Sequence, residues 1–134
     1  YLFTNFKTKE NVKNILTQVY AIDQTNVDED LLNMLLEPSE DKGALQVFLK
    51  VMGGDAGESP EEVLPRIDTP NICLIWGAQD PWTPVSKGLH PGDKFYLYNK
   101  NVQLNIIDAG HCPMDETPDA VHNILLPYLE QIHS

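Results

Sequence analysis

Two mainly apolar runs constrain the fold of this chain more than any other feature. Residues 71–76 read NICLIW and residues 102–107 read VQLNII, with 25 residues between them. Runs without polar alternation are typical of strands buried on both faces, as in parallel sheets. A parallel pair needs a crossover of a dozen or more residues, which this spacing provides. The sequence therefore predicts two neighbouring parallel strands of an α/β fold.

The remaining elements are predicted to be helical. Polar caps and periodic apolar residues mark where these helices begin. The expected first or capping residues are Thr8, Asp28, Ser39, Ser59 and Thr117. Pro38 should end the second helix, Pro127 should kink the last one, and Pro91-Gly92 should keep any crossover helix short or broken.

The character of the chain changes near residue 66, from helical patterns to alternating strands and helices. We expect residues 1–66 to form a small helical subdomain and residues 67–134 to form a β-α-β-α part of an α/β core. Two strands do not make an independently stable sheet. Further strands are therefore expected from upstream sequence or from a partner chain, and the start at Tyr1 suggests a processed or partial chain.

Charge and composition exclude several classes of function. Twenty acidic residues against nine basic ones give a net charge of −11, which disfavours nucleic acid and anionic lipid as partners. No apolar run approaches the ~18 residues of a membrane span. Cys73 and Cys112 lack CxxC spacing and the four histidines lack an HExxH pattern, so neither a disulfide framework, a metal site nor a cofactor is predicted.

Two polar side chains follow the predicted strands. Asp80 comes after the first strand in GAQD, and His111 comes after the second in DAGH. Because the carboxyl ends of adjacent parallel strands meet at one edge of a sheet, the two loops should lie together. An aspartate can fix the tautomer of a histidine that acts as a general base. Taken singly, each residue is more often a turn former or a packed side chain.

The two loops resemble a known superfamily. LIWGAQDPWTPV at residues 74–85 and IDAGHCPMDETPDAV at residues 107–121 are similar to the C-terminal signature loops of α/β-hydrolases, whose triad order places the acid before the histidine. The DPW and GHCPxDE forms resemble the plant, algal and cyanobacterial branch, which includes pheophytinase-like and haloalkane-dehalogenase-like plastid hydrolases. Residues 11–52 resemble the helical cap of that branch.

The resemblance implies roles for three residues. Asp80 would be the catalytic acid, His111 the catalytic general base, and Trp82 a substrate-binding ring beside them. It further implies hydrolysis of an ester of a hydrophobic small molecule and a location in the chloroplast. Apart from the resemblance, the lack of a long apolar run predicts a soluble intracellular protein. Residues 53–63 and 86–101 depart from the family pattern, so no substrate contacts are carried over to them.

The chain holds no nucleophile elbow of the GxSxG type. The serines are Ser39, Ser59, Ser86 and Ser134, and none has the required glycines. A serine nucleophile would therefore come from upstream sequence or a partner chain. Two alternatives stay open: a catalytically inactive hydrolase-fold piece that serves as a structural or binding subunit of a larger, plastid assembly, and haloalkane or epoxide hydrolysis with an aspartate nucleophile.

Overall fold

The computed structural model describes residues 7–53 and 57–133, which divide into two compact units. Within that range the first unit holds residues 7–18, 24–53 and 57, and the second holds residues 19–23 and 58–133. The first unit is helical. Its elements are α1 (Lys9–Val19, whose last residue belongs to the second unit), α2 (Glu29–Leu36), a 3-10 helix (Glu37–Glu40) and α3 (Ala44–Gly53).

The second unit contains two strands and several helices. Its elements are α4 (Pro60–Val63), a 3-10 helix (Leu64–Arg66), β1 (Ile72–Gly77), a 3-10 helix (Gly92–Leu97), β2 (Val102–Ile107), α5 (Pro113–Glu116) and α6 (Pro118–His133). No helix in the described residues is long and apolar enough to cross a membrane.

Side-chain caps start three helices where the sequence predicts. The Thr8 hydroxyl accepts the Asn11 N–H at 3.3 Å, and the Asp28 carboxylate accepts the Leu31 N–H at 2.9 Å. The Ser59 N–H donates to the Glu62 carboxylate at 2.8 Å, which is half of a capping box. The last helix begins at Pro118, directly after Thr117, and continues through Pro127. These four helix starts are confirmed.

The predicted capping role of Ser39 is wrong. Ser39 lies inside the 3-10 helix Glu37–Glu40, and α3 begins only at Ala44. The reason is local: the chain continues from α2 into a tighter turn that contains Pro38, and Gly43 then breaks it with a φ of 100°. The Ser39 hydroxyl is buried and has no hydrogen-bond partner among the described residues.

The strands pair in parallel, as predicted. Their register runs from Ile72 opposite Val102 to Gly77 opposite Ile107. One face of the pair packs on a small core, in which the Trp76 ring meets Phe95 edge-on at a centroid distance of 6.2 Å. The crossover contains only the 3-10 helix Gly92–Leu97 between its loops, in agreement with the Pro91-Gly92 signal.

The prediction that the strands are buried on both faces is wrong for the described chain. In β1 only Gly77 is buried, and in β2 the Ile106 side chain is 51% exposed. The apolar side of α6 is likewise half-buried or exposed. The physical reason is that each strand has one neighbour in the described sheet, so its other edge and part of its faces meet solvent.

Gly77 occupies a position that admits no side chain. A Cβ there would lie 1.9 Å from the carbonyl oxygen of Gly110 and 2.5 Å from that of Ala109. We therefore expect Gly77→Ala to lower the free energy of unfolding by about 1–3 kcal/mol, because backbone must move to accept the methyl group. A denaturant titration measures this.

Gly53→Ala is the matched control, since a Cβ at Gly53 meets nothing within 4 Å and the residue lies at the end of α3. The free energy of unfolding should stay the same or rise slightly. Equal destabilisation by both substitutions would contradict the close approach at Gly77.

Candidate active site

Backbone hydrogen bonds hold the loops after the two strands against each other. The Ala78 N–H donates to the Ile107 carbonyl at 2.8 Å, and the Gln79 N–H donates to the Ala109 carbonyl at 2.9 Å. The Gln79 amide also donates to Asp108 Oδ1 at 2.7 Å. The first loop is thus fixed to the second loop immediately before Asp80.

Asp80 is buried, with 7% of its surface exposed, and its oxygens are well supplied with donors. Its Oδ1 accepts the backbone N–H groups of Trp82 and Thr83, each at 2.9 Å. Its Oδ2 accepts the Thr83 hydroxyl at 2.7 Å and lies 2.9 Å from Nδ1 of His111. The aspartate therefore forms the turn that follows β1 and also reaches the next loop.

Burial raises the pKa of the Asp80 carboxyl group, but the hydrogen bonds from Thr83, His111 and the Trp82 amide outweigh it and hold that pKa below its ordinary value of 3.8. The carboxylate is therefore ionised at neutral pH. Because an ionised carboxylate only accepts hydrogen bonds, Nδ1 of His111 must be the donor in this contact. In the neutral imidazole Nε2 is then unprotonated and available to accept a proton.

His111 is oriented from three sides. Its backbone N–H donates to the Val19 carbonyl at 2.8 Å, and its Nδ1 contacts Asp80. Its ring lies 5.4 Å from the Trp82 ring, between centroids, at an interplanar angle of 51°. The His111 side chain remains 34% exposed and lines, with Asp80 and Thr83, a cavity of about 160 Å³.

The sequence-predicted residues therefore come together in one place. Asp80 and His111 are in direct contact, and Trp82 lies against the histidine with 54% of its surface exposed. A larger cavity of about 410 Å³ adjoins Trp82 and Thr83 and is lined mainly by apolar side chains, including Trp76 and Phe95. A partly exposed imidazole whose other nitrogen is fixed by a carboxylate can take up and return a proton.

Sequence reasoning missed Thr83 and Glu116. Thr83 donates to Asp80 through both its backbone N–H and its hydroxyl, and its hydroxyl lies 3.5 Å from Nδ1 of His111. The buried Glu116 carboxylate accepts the Gly110 N–H, just before the histidine. The signal for Thr83 was its position three residues after an aspartate, a common turn pattern. Glu116 lies within the quoted GHCPMDE segment, but its contacts are not local.

Cys112, next to the histidine, does not have the surroundings of a nucleophile. Burial raises the pKa of its thiol, and the carboxylates of Asp115 and Glu116 raise it further. Burial and the hydrogen bond to Asp115 also raise the pKa of the neighbouring Tyr20 hydroxyl. A protonated thiol is a weak nucleophile, so a structural role for Cys112 is favoured.

In residues 7–53 and 57–133, no three His, Cys, Asp or Glu side chains are grouped so as to hold a metal ion.

An Asp–His contact at the carboxyl ends of parallel strands is the arrangement found in α/β-hydrolases. The chain is similar to the Arabidopsis thaliana protein pheophytinase, chloroplastic, with 31% identity over 93% of this chain. This similarity supports the α/β-hydrolase superfamily. The chain spans about a quarter of the length of this curated relative, since the match covers 26% of it. No protein-family model matches the chain, and no solved structure gives a significant match.

The lowered pKa of Asp80 predicts a pH dependence of stability. A carboxylate whose pKa is lower in the folded than in the unfolded state stabilises the fold fully above its unfolded value, near 3.8, and this contribution is lost as pH falls through the folded value. Asp80→Asn should therefore destabilise the protein at pH 6, and the difference from wild type should shrink below about pH 4.

Denaturant titrations from pH 6 to pH 3 check this, with Asp119→Asn as the control because Asp119 is exposed at the start of α6. That control should give a smaller difference from wild type at pH 6 than Asp80→Asn gives. A gap between Asp80→Asn and wild type that widened towards pH 3 would mean that the pKa of Asp80 is raised instead.

Proposed function

We propose that the chain is the C-terminal part of a serine-type α/β-hydrolase that cleaves an ester of a hydrophobic small molecule. Asp80 is the acid of its triad and His111 its general base. The observation that carries this proposal is the 2.9 Å contact between Asp80 Oδ2 and His111 Nδ1 at the ends of two parallel strands. The similarity to pheophytinase over 93% of the chain supports the same class of reaction.

Each residue of the pair has a defined task in this chemistry. His111 takes the proton of the attacking hydroxyl through Nε2 and returns it to the leaving alcohol. Asp80 keeps the proton on Nδ1 and stabilises the imidazolium that forms. The hydrogen bonds of Asp80 to Trp82 and Thr83 suit this task, because they keep the carboxylate ionised and fix its position.

The attacking serine and the oxyanion-hole amides belong, in this proposal, to sequence outside these 134 residues or to a partner chain that completes the sheet. The four serines of the chain lack the GxSxG pattern, and the surroundings of Cys112 favour a protonated thiol. Residues 1–66 would act as the cap that governs access of substrate, and residues 67–134 as the part of the core that carries the acid and the base.

The substrate class follows from the relative and from the apolar surroundings of the pair. Trp82, Trp76 and Phe95 line the cavity of about 410 Å³, which would suit a hydrophobic group. The name of the relative makes pheophytin the first substrate to test. The same name, which includes the word chloroplastic, supports a plastid location for the natural protein.

The natural protein should react with a fluorophosphonate probe, which labels activated serines. We expect strong labelling of wild type and loss of labelling for His111→Ala, because the serine then has no base.

Asp80→Asn should lower ester turnover by roughly three to four orders of magnitude, because the imidazole adopts the wrong tautomer. Asp119→Asn, at an exposed site, is the control and should keep both activities.

Unchanged turnover in Asp80→Asn would show that the acid is misassigned. Absence of labelling together with hydrolysis of a haloalkane or an epoxide would favour an aspartate nucleophile instead.

The second candidate is a catalytically inactive hydrolase-fold subunit of a larger, plastid assembly, with other protein chains completing the sheet. It is favoured by the absence of a GxSxG pattern from the 134 residues. Intact mass and labelling separate the two candidates. A natural polypeptide of about 15.1 kDa that is not labelled supports the subunit, and a larger, labelled polypeptide supports the enzyme.

Trp82 gives a separate test of substrate binding. The residue is 54% exposed, and its ring, beside His111, would cover a hydrophobic substrate. Trp82→Ala should raise KM for a long-chain ester by about tenfold, which corresponds to ~1.4 kcal/mol of lost binding, and should change turnover less. Tyr96→Ala removes a comparably exposed ring elsewhere in the unit and should leave KM unchanged. An equal effect of both substitutions would remove Trp82 from the binding site.

A further inference from the structure

We propose that Glu116 is a positioning residue for His111, one that fixes the backbone from which the histidine side chain projects. This proposal rests on the proposed function in so far as His111 is the general base. It adds a residue that contacts neither the imidazole nor Asp80 through its carboxylate in the observed hydrogen bonds, and that acts through the main chain.

The buried carboxylate of Glu116 accepts hydrogen bonds from three backbone N–H groups. The residue is 4% exposed. One of its oxygens, Oε2, accepts the Gly110 N–H, and the other, Oε1, accepts the N–H groups of Ile22 and Asp23, the latter at 3.1 Å. A single side chain thus joins the peptide just before His111 to a segment more than 85 residues away in the sequence, residues 19–23.

Residues 19–23 also bind the backbone of His111 directly. The Val19 carbonyl accepts the His111 N–H at 2.8 Å, so the two amides on either side of the Gly110 α-carbon are both tied down. Gly110 packs closely against both groups, because a Cβ on Gly110 would lie 2.1 Å from the Val19 carbonyl oxygen and 2.9 Å from Glu116 Oε2. Loss of the hydrogen bond from Gly110 to Glu116 therefore acts directly on the backbone of the histidine loop.

A carboxylate suits this task better than an amide of the same shape. An ionised carboxylate only accepts hydrogen bonds and can serve three N–H donors, whereas the amide of glutamine would turn an NH₂ group towards at least one of them. Hydrogen bonds to a charged acceptor are also the stronger kind. Glu116→Gln is therefore the sharpest small change, and Glu116→Asp keeps the charge but shortens the reach.

A second bond to the same segment separates positioning from general support. The Tyr20 hydroxyl donates to Asp115 Oδ2 at 2.5 Å, so Tyr20→Phe loosens residues 19–23 without removing the bond to Gly110. Asp119→Asn removes a negative charge from an exposed position three residues after Glu116 and serves as the control for charge alone.

The test uses the full natural protein, and its first measurement is the NMR resonance of the His111 Nδ1 proton shared with Asp80. Wild type and Asp119→Asn should show this deshielded proton with slow exchange. Glu116→Gln should lose it or exchange it at least about tenfold faster, Glu116→Asp should lie between, and Tyr20→Phe should stay close to wild type. A folded Glu116→Gln protein with an unchanged His111 resonance would overturn the proposal.

The second measurement is ester turnover by the same variants. A displacement of about 1 Å at a reacting group lowers rates by about a hundredfold, so Glu116→Gln should lower kcat by roughly ten- to a hundredfold with KM changed by less than about threefold. Failure of the proposed function would appear as no turnover in wild type, and the NMR result would still decide the role of Glu116.

Amide hydrogen exchange in wild type provides a test that needs no variant, should Glu116→Gln fail to fold. The amides of Gly110, Ile22 and Asp23 should all exchange slowly, because each donates to the same buried carboxylate. Fast exchange at Gly110 would contradict the proposal, whatever the variants do.

Discussion

The close approach of two loops at the carboxyl ends of β1 and β2 is the constraint on which the rest of the site depends. Parallel pairing alone would bring the loops near each other, but Asp80 reaches His111 because Gly77 lets the first loop lie directly against Gly110 and Ala109. The bonds from Ala78 and Gln79 to carbonyls of the second loop then fix this approach. The contact between Asp80 and His111 is thus a consequence of backbone packing.

Around this approach the structure keeps Asp80 charged and His111 available. Four hydrogen bonds to Asp80 outweigh its burial, so its pKa falls while its position stays fixed. His111 is held at its backbone and at Nδ1, whereas the rest of its ring is partly exposed to a small cavity. The same separation of a fixed side and an accessible side is what proton transfer to and from a substrate requires.

The sequence was informative where the physics is local or periodic. The apolar runs predicted the parallel strands, and the glycine turns after them predicted that Asp80 and His111 would be neighbours, because strand ends in a parallel sheet meet at one edge. The prediction that Ser39 caps a helix was wrong because the chain continues from α2 into a 3-10 helix that contains Ser39. The next helix begins only after Gly43, which has a positive φ. Strand burial was overestimated because it depends on neighbours that the described chain does not contribute.

The contacts of Glu116 could not be read from the sequence, since its partners Ile22 and Asp23 are 94 and 93 residues away and are backbone groups without a residue signature.

A crystal structure of the full natural protein inhibited by an organophosphonate tests the proposed roles of Asp80 and His111 most directly. We expect phosphorus on a serine outside these 134 residues, with the oxygen of that serine within hydrogen-bond distance of His111 Nε2 and with Asp80 on His111 Nδ1. An adduct remote from His111 would contradict it.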